Sequence, residues 1–395
     1  MSGALNNVHS NVVYALHLHS SEMLRLQEQA STGSRINRSS DDPSTGYRVL
    51  ELTSQRRSLG TYFDAISQSA STLEIATTVL DNMVSAIEAT KVDLTQIING
   101  IYKPEGRERM AAAADNMLEQ MVSLGNTQRT GEYLFGGART DTPPYAVERT
   151  NGMITHVTYQ GSSEPRDAEV APGVKSSIFY AGEDIFRSDD RGTPVFFGDT
   201  GAKAGTGTSN VSGAVWLTVT HDGSNYKLSI DDGATEVTVP AVGDITNIAV
   251  TNSRSEVLYV DATDISSTGV DMVSVPGTYD IFSVLISVRD ILRNNRGLSE
   301  ARLVELRNNA VACLEEVRSG LVGRSVVVGS RIGFLEDLKG TLESMKFDAE
   351  DETALLQQAD IAQVAIDLSR REVLYEMSLS VAGRLMSVSL LDFID

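Results

Sequence analysis

The stretch VLELTSQRRSLGTYFDAISQSASTLEIATTVLDNMVSAIEATKVDLTQII, from Val49 to Ile98, decides the architecture. Alternate steps of three and four residues pick out Val49, Leu52, Leu59, Phe63, Ile66, Ala70, Leu73, Leu80, Val84, Ile87, Leu94 and Ile98. Only Arg56, Thr77 and Lys91 interrupt that apolar series, and no proline falls in the run. A strand would alternate with period two, so the spacing predicts one long helix. Its seam is of coiled-coil type, about seven heptads and roughly 75 Å long at the rise of an α-helix.

The same spacing recurs outward in both directions. Towards the N-terminus it is Leu5, Val8, Val12, Leu16, His19, Met23, Leu26 and Ala30. Beyond a break at Pro104 it is Met110, Ala114, Met117, Met121 and Leu124. Much later it returns as Leu303, Leu306, Ala310, Cys313 and Val317, with a looser continuation to Leu335, Leu338 and Leu342. The final series is Ile361, Val364, Leu368, Tyr375, Leu379, Ala382, Met386, Leu390 and Phe393. A helix with an apolar stripe is marginal alone and needs a partner helix. The chain is therefore expected to go out, build a middle region and return, its first helix pairing with its last.

Between the helical flanks the composition changes. Residues 131–278 hold 18 of the 32 glycines and seven of the nine prolines, and carry 9 basic against 20 acidic residues. Val215–Thr220 and Tyr226–Ile230 alternate in polarity, Thr235–Val239 reads as a third strand, and Asp222-Gly223 and Asp232-Gly233 supply turns. The predicted fold class is thus multidomain α+β. A long antiparallel coiled-coil stem is built from both termini, with an inserted, mostly β, acidic outer domain. Ser40-Asp41-Asp42-Pro43 reads as an inter-helix turn, Asp42 capping and Pro43 occupying the first helical position. Ser31–Ser40 and Asp348–Thr353 read as non-helical connections.

The chain has 395 residues and a net charge of −20, which excludes the basic footprint that nucleic acid requires and disfavours an anionic membrane surface. No apolar run is long enough for a transmembrane helix, and the N-terminus has neither the basic nor the apolar region of a cleavable secretory signal. One cysteine, Cys313, excludes a disulfide framework, and its place on an apolar stripe makes it a buried thiol. His17 and His19 stand two apart on a helix and point apart, so they cannot share a metal. Gly205-Thr206-Gly207 lacks the third glycine and the following helix of a phosphate loop, and Asp189-Asp190 and Asp231-Asp232 lack calcium-loop spacing. No catalytic constellation, cofactor site or metal site is legible, and the chain reads as a non-enzyme.

Ser31-Thr32-Gly33-Ser34-Arg35-Ile36-Asn37-Arg38-Ser39-Ser40-Asp41-Asp42-Pro43 resembles a segment of bacterial flagellins and hook-associated proteins. Its Asp-Asp-Pro ending looks more like the hook-associated protein 3 family than like flagellin. Gly131-Glu132-Tyr133-Leu134-Phe135-Gly136-Gly137, with Pro143-Pro144-Tyr145 downstream, is similar to that family's junction between stem and outer domain. The tail from Leu379 to Phe393 looks like its C-terminal helix. The resemblance covers roughly 1–145 and 280–395, and it implies a division into 1–40 with 350–395 as a terminal helical, inner-tube domain, 44–138 with 280–345 as the stem, and 139–279 as the outer domain.

It implies a structural adaptor ring between the hook and the flagellin filament, outside the cell, exported through the flagellar type III apparatus without a cleavable signal. The implied partners are the first hook-associated protein, flagellin, further copies of the chain and an export chaperone. Leu5, Val8, Val12, Leu16, Leu379, Ala382, Leu385, Met386, Leu390 and Phe393 are then the expected subunit contacts. The remaining readings are a flagellin filament subunit and a non-flagellar coiled-coil surface protein. An enzyme built on the β region has no motif in its favour.

Overall fold

The computed structural model describes residues 2–38, 40–98, 104–188 and 190–394. In chain order the elements are α1 (Ser2–Thr32), α2 (Pro43–Ile98), α3 (Pro104–Gly125), β1 (Gln128–Arg129), β2 (Glu132–Tyr133), β3 (Tyr145–Thr150), β4 (Met153–Tyr159), β5 (Arg166–Ala171), β6 (Val174–Phe179) and α4 (Gly182–Phe186). There follow β7 (Val195–Phe197), β8 (Lys203–Ala204), β9 (Gly213–His221), β10 (Tyr226–Ser229), β11 (Val237–Thr238), β12 (Ile248–Thr251), β13 (Val257–Asp261), β14 (Gly269–Val275), α5 (Ile281–Arg293), α6 (Glu300–Gln357) and α7 (Ile361–Ile394). The chain is mixed helix and strand and forms two compact units, residues 1–64 with 338–395 and residues 65–337.

In the first unit α1 packs on α7. Leu26 is buried with Val364 and Ala359, and Leu368 lies against them. His19 Nδ1 and Arg371 Nη1 are 3.2 Å apart, so the two helices run antiparallel. The loops at one end of the pair are stitched by backbone bonds: Arg35 N donates to Gln357 O (2.6 Å) and Ala359 N to Gly33 O (2.9 Å). Gly33, at φ 67°, supplies the left-handed turn that ends α1. Asp42 Oδ1 accepts from Thr45 N at 3.1 Å at the start of α2. The Thr45 hydroxyl and backbone bonds hold the Asp42 carboxyl well below the usual carboxylate range.

Two expected connections shift. Ser31 and Thr32 belong to α1, each hydroxyl bonding back to Glu28 O. Residues 348–353 are not a connection: α6 runs through them to Gln357, and the break falls at 358–360. Their acidic run looks solvent-facing, yet Glu350 and Glu352 pair with Arg56 (3.3 Å) and Arg48 (3.0 Å) of α2, and Ala349 is buried. With neither Gly nor Pro in the run, nothing stops the helix.

In the second unit the stripe of α2 is buried at Ile66, Leu73, Leu80, Ile87 and Leu94, and that of α6 at Leu303, Leu306, Ala310, Cys313 and Val317. Lys91 meets Glu315 at 2.6 Å, Arg318 lies 3.7 Å from Glu88, and Ser325 donates to Asp81 at 3.3 Å. Partners advance on one helix as they retreat on the other, so these parts of α2 and α6 are antiparallel.

The strands fall into two groups. β3–β4 and β5–β6 are separate antiparallel hairpins. Further on, a five-stranded sheet of order β11-β10-β9-β14-β7 faces a three-stranded one, β12-β13-β8, across a core of Leu217, Val219, Leu228, Val250, Leu258 and Val260. β9 and β10 pair from His221–Tyr226 to Thr218–Ser229, with Asp222 and Gly223 in their turn.

Candidate assembly and junction surfaces

The residues 133–145 close the end of α3. Asn126 and Tyr145 exchange two bonds, Asn126 Nδ2 donating to Tyr145 O and Tyr145 N to Asn126 Oδ1, each at 2.9 Å. Tyr133 N donates to Thr140 O and Leu134 N to Thr127 O. Leu134 and Phe135 are thereby turned inward, and both are buried. Pro143 is exposed while Pro144 is buried, its carbonyl accepting from Gln160 N at 2.7 Å.

Gly136 and Gly137 are required by close approach. A Cβ on Gly136 would lie 2.1 Å from Arg139 O. Gly137 adopts φ 61°, and a Cβ there would lie 2.4 Å from Ser162 O. Only glycine fits both places.

The Tyr145 ring then anchors an aromatic cluster. It lies 4.7 Å from Phe282, 5.3 Å from Tyr159 and 5.7 Å from Phe186, and Phe135 is 4.8 Å from Phe186. The Tyr159 hydroxyl donates to Ser162 O (2.9 Å), with Phe135 O at 3.1 Å, and accepts from Gly182 N. Burial raises the Tyr145 hydroxyl well above its ordinary value, so it stays neutral. Sequence reading identifies Phe135 and Tyr145 but not Tyr159, Phe186 or Phe282. Phe282 follows an Asp280 cap whose carboxylate accepts from Phe282 N and Ser283 N, while Ser283 Oγ accepts from Asp280 N. That Asp-x-x-Ser signature before an apolar run is the signal that marks α5.

The same region is pinned by Arg289 of α5. Its guanidinium meets Asp115 of α3 at 3.0 Å, Asp290 at 2.9 Å and Ile154 O of β4 at 2.5 Å. Arg289 thereby ties α3, α5 and β4 together.

The terminal helices present a different surface. Val12 and Leu16 are half-buried, as is Ala382, whereas Leu379 is 47% exposed. The side chains of Leu5, Val8, Leu385, Met386, Leu390 and Phe393 lie outside the described residues. Alongside the stripe that meets α1, α7 carries a second one that sequence reading misses. Ile366, Val373, Met377 and Val381 recur at helical spacing, and Ile366 and Met377 are 62% and 61% exposed. Tyr14, Leu18 and Leu24 of α1 are exposed as well. These exposed apolar side chains make the two helices the candidate interaction surface. The missed signal was an α7 apolar on two faces, visible once positions off the main seam are counted. Among the described residues no helix is long and apolar enough to cross a membrane, and no three His, Cys, Asp or Glu side chains converge as a metal site.

Residues 5–140 match the bacterial flagellin N-terminal helical region. The chain is 26% identical to the flagellar hook-associated protein 3 of Escherichia coli K12 over 168 residues, which is 42% of this chain and 51% of that protein. It is 27% identical to flagellin A of Helicobacter felis over 118 residues, 30% of this chain and 23% of that protein. The chain therefore spans about half the length, or less, of these curated relatives. In three dimensions it superposes on the flagellar hook-associated protein 3 of Legionella pneumophila with a TM-score of 0.51 at 17% identity, covering 78% of this chain and 97% of that one. At that identity the likeness is one of fold. In its N-terminal region the chain is thus similar to bacterial flagellins, and over a longer stretch to flagellar hook-associated protein 3.

Proposed function

We propose that this chain is a structural subunit of the bacterial flagellum, an adaptor ring between the hook, through its first hook-associated protein, and the flagellin filament. The observation that carries this reading is the second apolar stripe of α7. Its first stripe is occupied by α1 within the chain, so Ile366, Val373, Met377 and Val381 are left for neighbouring subunits. Burying such a stripe is favourable by about 25 cal/mol per Å² of apolar surface, and the ordering cost of assembly is offset only where neighbours supply the opposing face.

The domain roles follow. Residues 1–40 with 350–395 form the terminal, inner-tube domain, and 44–138 with 280–345 an antiparallel coiled-coil stem. Residues 139–279 form an acidic outer domain exposed to solvent. Tyr133–Tyr145 is the joint between stem and outer domain, and Ser40–Pro43 the turn between the first two helices. Leu5, Val8, Val12, Leu16, Leu379, Ala382, Leu385, Met386, Leu390 and Phe393 join the second stripe as assembly residues. Before export through the type III apparatus a chaperone covers the C-terminal seam. The role is mechanical, not catalytic, and its place is outside the cell.

The match to a hook-associated protein over 168 residues supports this reading above that of a filament subunit, since the flagellin match is shorter and covers less of its partner. Immunogold electron microscopy with an antibody to residues 139–279 tests it. A single band where hook meets filament is expected. Label along the whole filament would make the chain a flagellin, and no label on flagella would return it to the non-flagellar surface proteins.

A further inference from the structure

The two-sheet body of residues 195–275 has its own core and joins the rest of the second unit by two chain passes. Of the incoming pass residues 187–188 and 190–194 are described, and the outgoing pass is 276–280. They lie side by side, with a β-bridge between Arg187 and Asp280 and a bond from Gly192 N to Pro276 O of 2.8 Å. Gly277 sits at φ 75°, and a Cβ there would fall 1.6 Å from Asp190 O, so the passes touch backbone to backbone. Gly277 N donates to Glu316 Oε1 of α6 at 3.0 Å, and Thr278 Oγ1 accepts from Gly213 N at 2.8 Å. Together these form a narrow strap.

Away from the strap, two arginines hold the body. Arg296, between α5 and α6, places its guanidinium 4.7 Å over the Trp216 ring of β9 and 2.8 Å from Asp232. Arg302, in the first turn of α6, meets Asp199 at 2.5 Å. The two aspartates are 65% and 88% exposed. Ion pairs with a partner that exposed are weak and screened by salt, whereas the strap is held by the Arg187–Asp280 bridge and the Gly192–Pro276 backbone bond, neither of which involves a charged side chain. The contacts thus divide into a hinge line, where α5 also packs on the start of β9, and two outlying arginine contacts.

We propose that Arg296 and Arg302 are latches, and that when both release, the 195–275 body tilts about the strap at Gly192 and Gly277. This is a property of the single chain and stands apart from the assembly reading.

Trp216 is the sole tryptophan, so its emission reports the Arg296 latch directly. The test uses the full chain with spin labels at Ser224→Cys, in the β9–β10 turn, and Arg324→Cys, on α6. Cys313, buried, stays unlabelled. At low salt the parent is expected to give one narrow interspin distance. Arg296→Gln with Arg302→Gln is expected to broaden that distribution severalfold and shift the Trp216 emission to the red, with circular dichroism unchanged. Salt on the order of 1 M, where the Debye length falls to about 3 Å and exposed ion pairs weaken, is expected to reproduce part of the broadening in the parent. A single narrow distance in the double variant would overturn the proposal, as would a distribution already broad in the parent at low salt.

Discussion

Asp115 of α3 and Arg289 of α5 form an ion pair of 3.0 Å in which the arginine side chain is 3% exposed. A buried guanidinium is tolerated only when its donors are satisfied, and Asp290 and Ile154 O take others. Arg289→Ala strands Asp115 and opens the packing between α3, α5 and β4, at an expected cost of about 3–5 kcal/mol. Asp115→Asn keeps a hydrogen-bond acceptor in place and is expected to cost about 1 kcal/mol. Urea unfolding followed by the near-ultraviolet signal of the aromatic cluster separates the two. Equal losses would show that Asp115 alone stabilises the arginine.

Gly137→Ala is expected to destabilise by about 2 kcal/mol or more, because the left-handed backbone and the clash with Ser162 O act together. Gly131→Ala is the internal comparison. It shares a positive φ but meets nothing within 4 Å, so only the backbone strain remains. Thermal unfolding midpoints in the order parent, Gly131→Ala, Gly137→Ala bear this out, and the reverse order of the variants refutes it.

Acid should loosen the α2–α6 contact through Glu315. Bonds from Arg318, then Lys91, lower its carboxyl from 4.5 to about 2. A carboxylate with a depressed folded value binds fewer protons folded than unfolded. Its contribution is therefore present above pH 4.5 and is lost as pH falls towards 2. Glu315→Gln is expected to lower stability at neutral pH, where the contribution is present, to leave it nearly unchanged near pH 2, and so to flatten the profile across that window. The readout is urea midpoint against pH, and an acid limb as steep as the parent's would exclude Glu315 as its source.

The second stripe of α7 predicts an assembly defect without a folding defect. Val373→Asp with Met377→Asp places charge on an exposed face, so monomer stability should move by less than about 1 kcal/mol while self-association is lost. Sedimentation of the purified chain under assembly conditions, beside its circular dichroism, measures both. Assembly at parental levels would remove this face from the subunit contacts.

The helices announce themselves in the sequence because a seam of Leu, Ile and Val at alternating three and four spacing has no other stable reading. Their partnership follows from the need to bury that seam, and α1 does lie on α7. The end of α6 was illegible because Glu350 and Glu352 look like a solvated loop until Arg56 and Arg48 are found opposite them. Asp-Gly turns disclose the β9–β10 hairpin. The packing of Tyr145 against Phe186 and Phe282 depends on contacts between residues far apart in the chain, which no local spacing encodes. The same holds for Arg289, whose partners lie on three elements. The second stripe of α7 was within reach of sequence reading but was masked by the stronger seam beside it.

The bridge between Arg187 and Asp280 has an engineering consequence. It brings the start and finish of a self-cored segment to one point, so that segment behaves as a cassette plugged into a two-pin socket. Excising the cassette and closing the socket with a short turn should leave α2, α3, α5 and α6 undisturbed, and a foreign domain whose own termini lie close together could be grafted there.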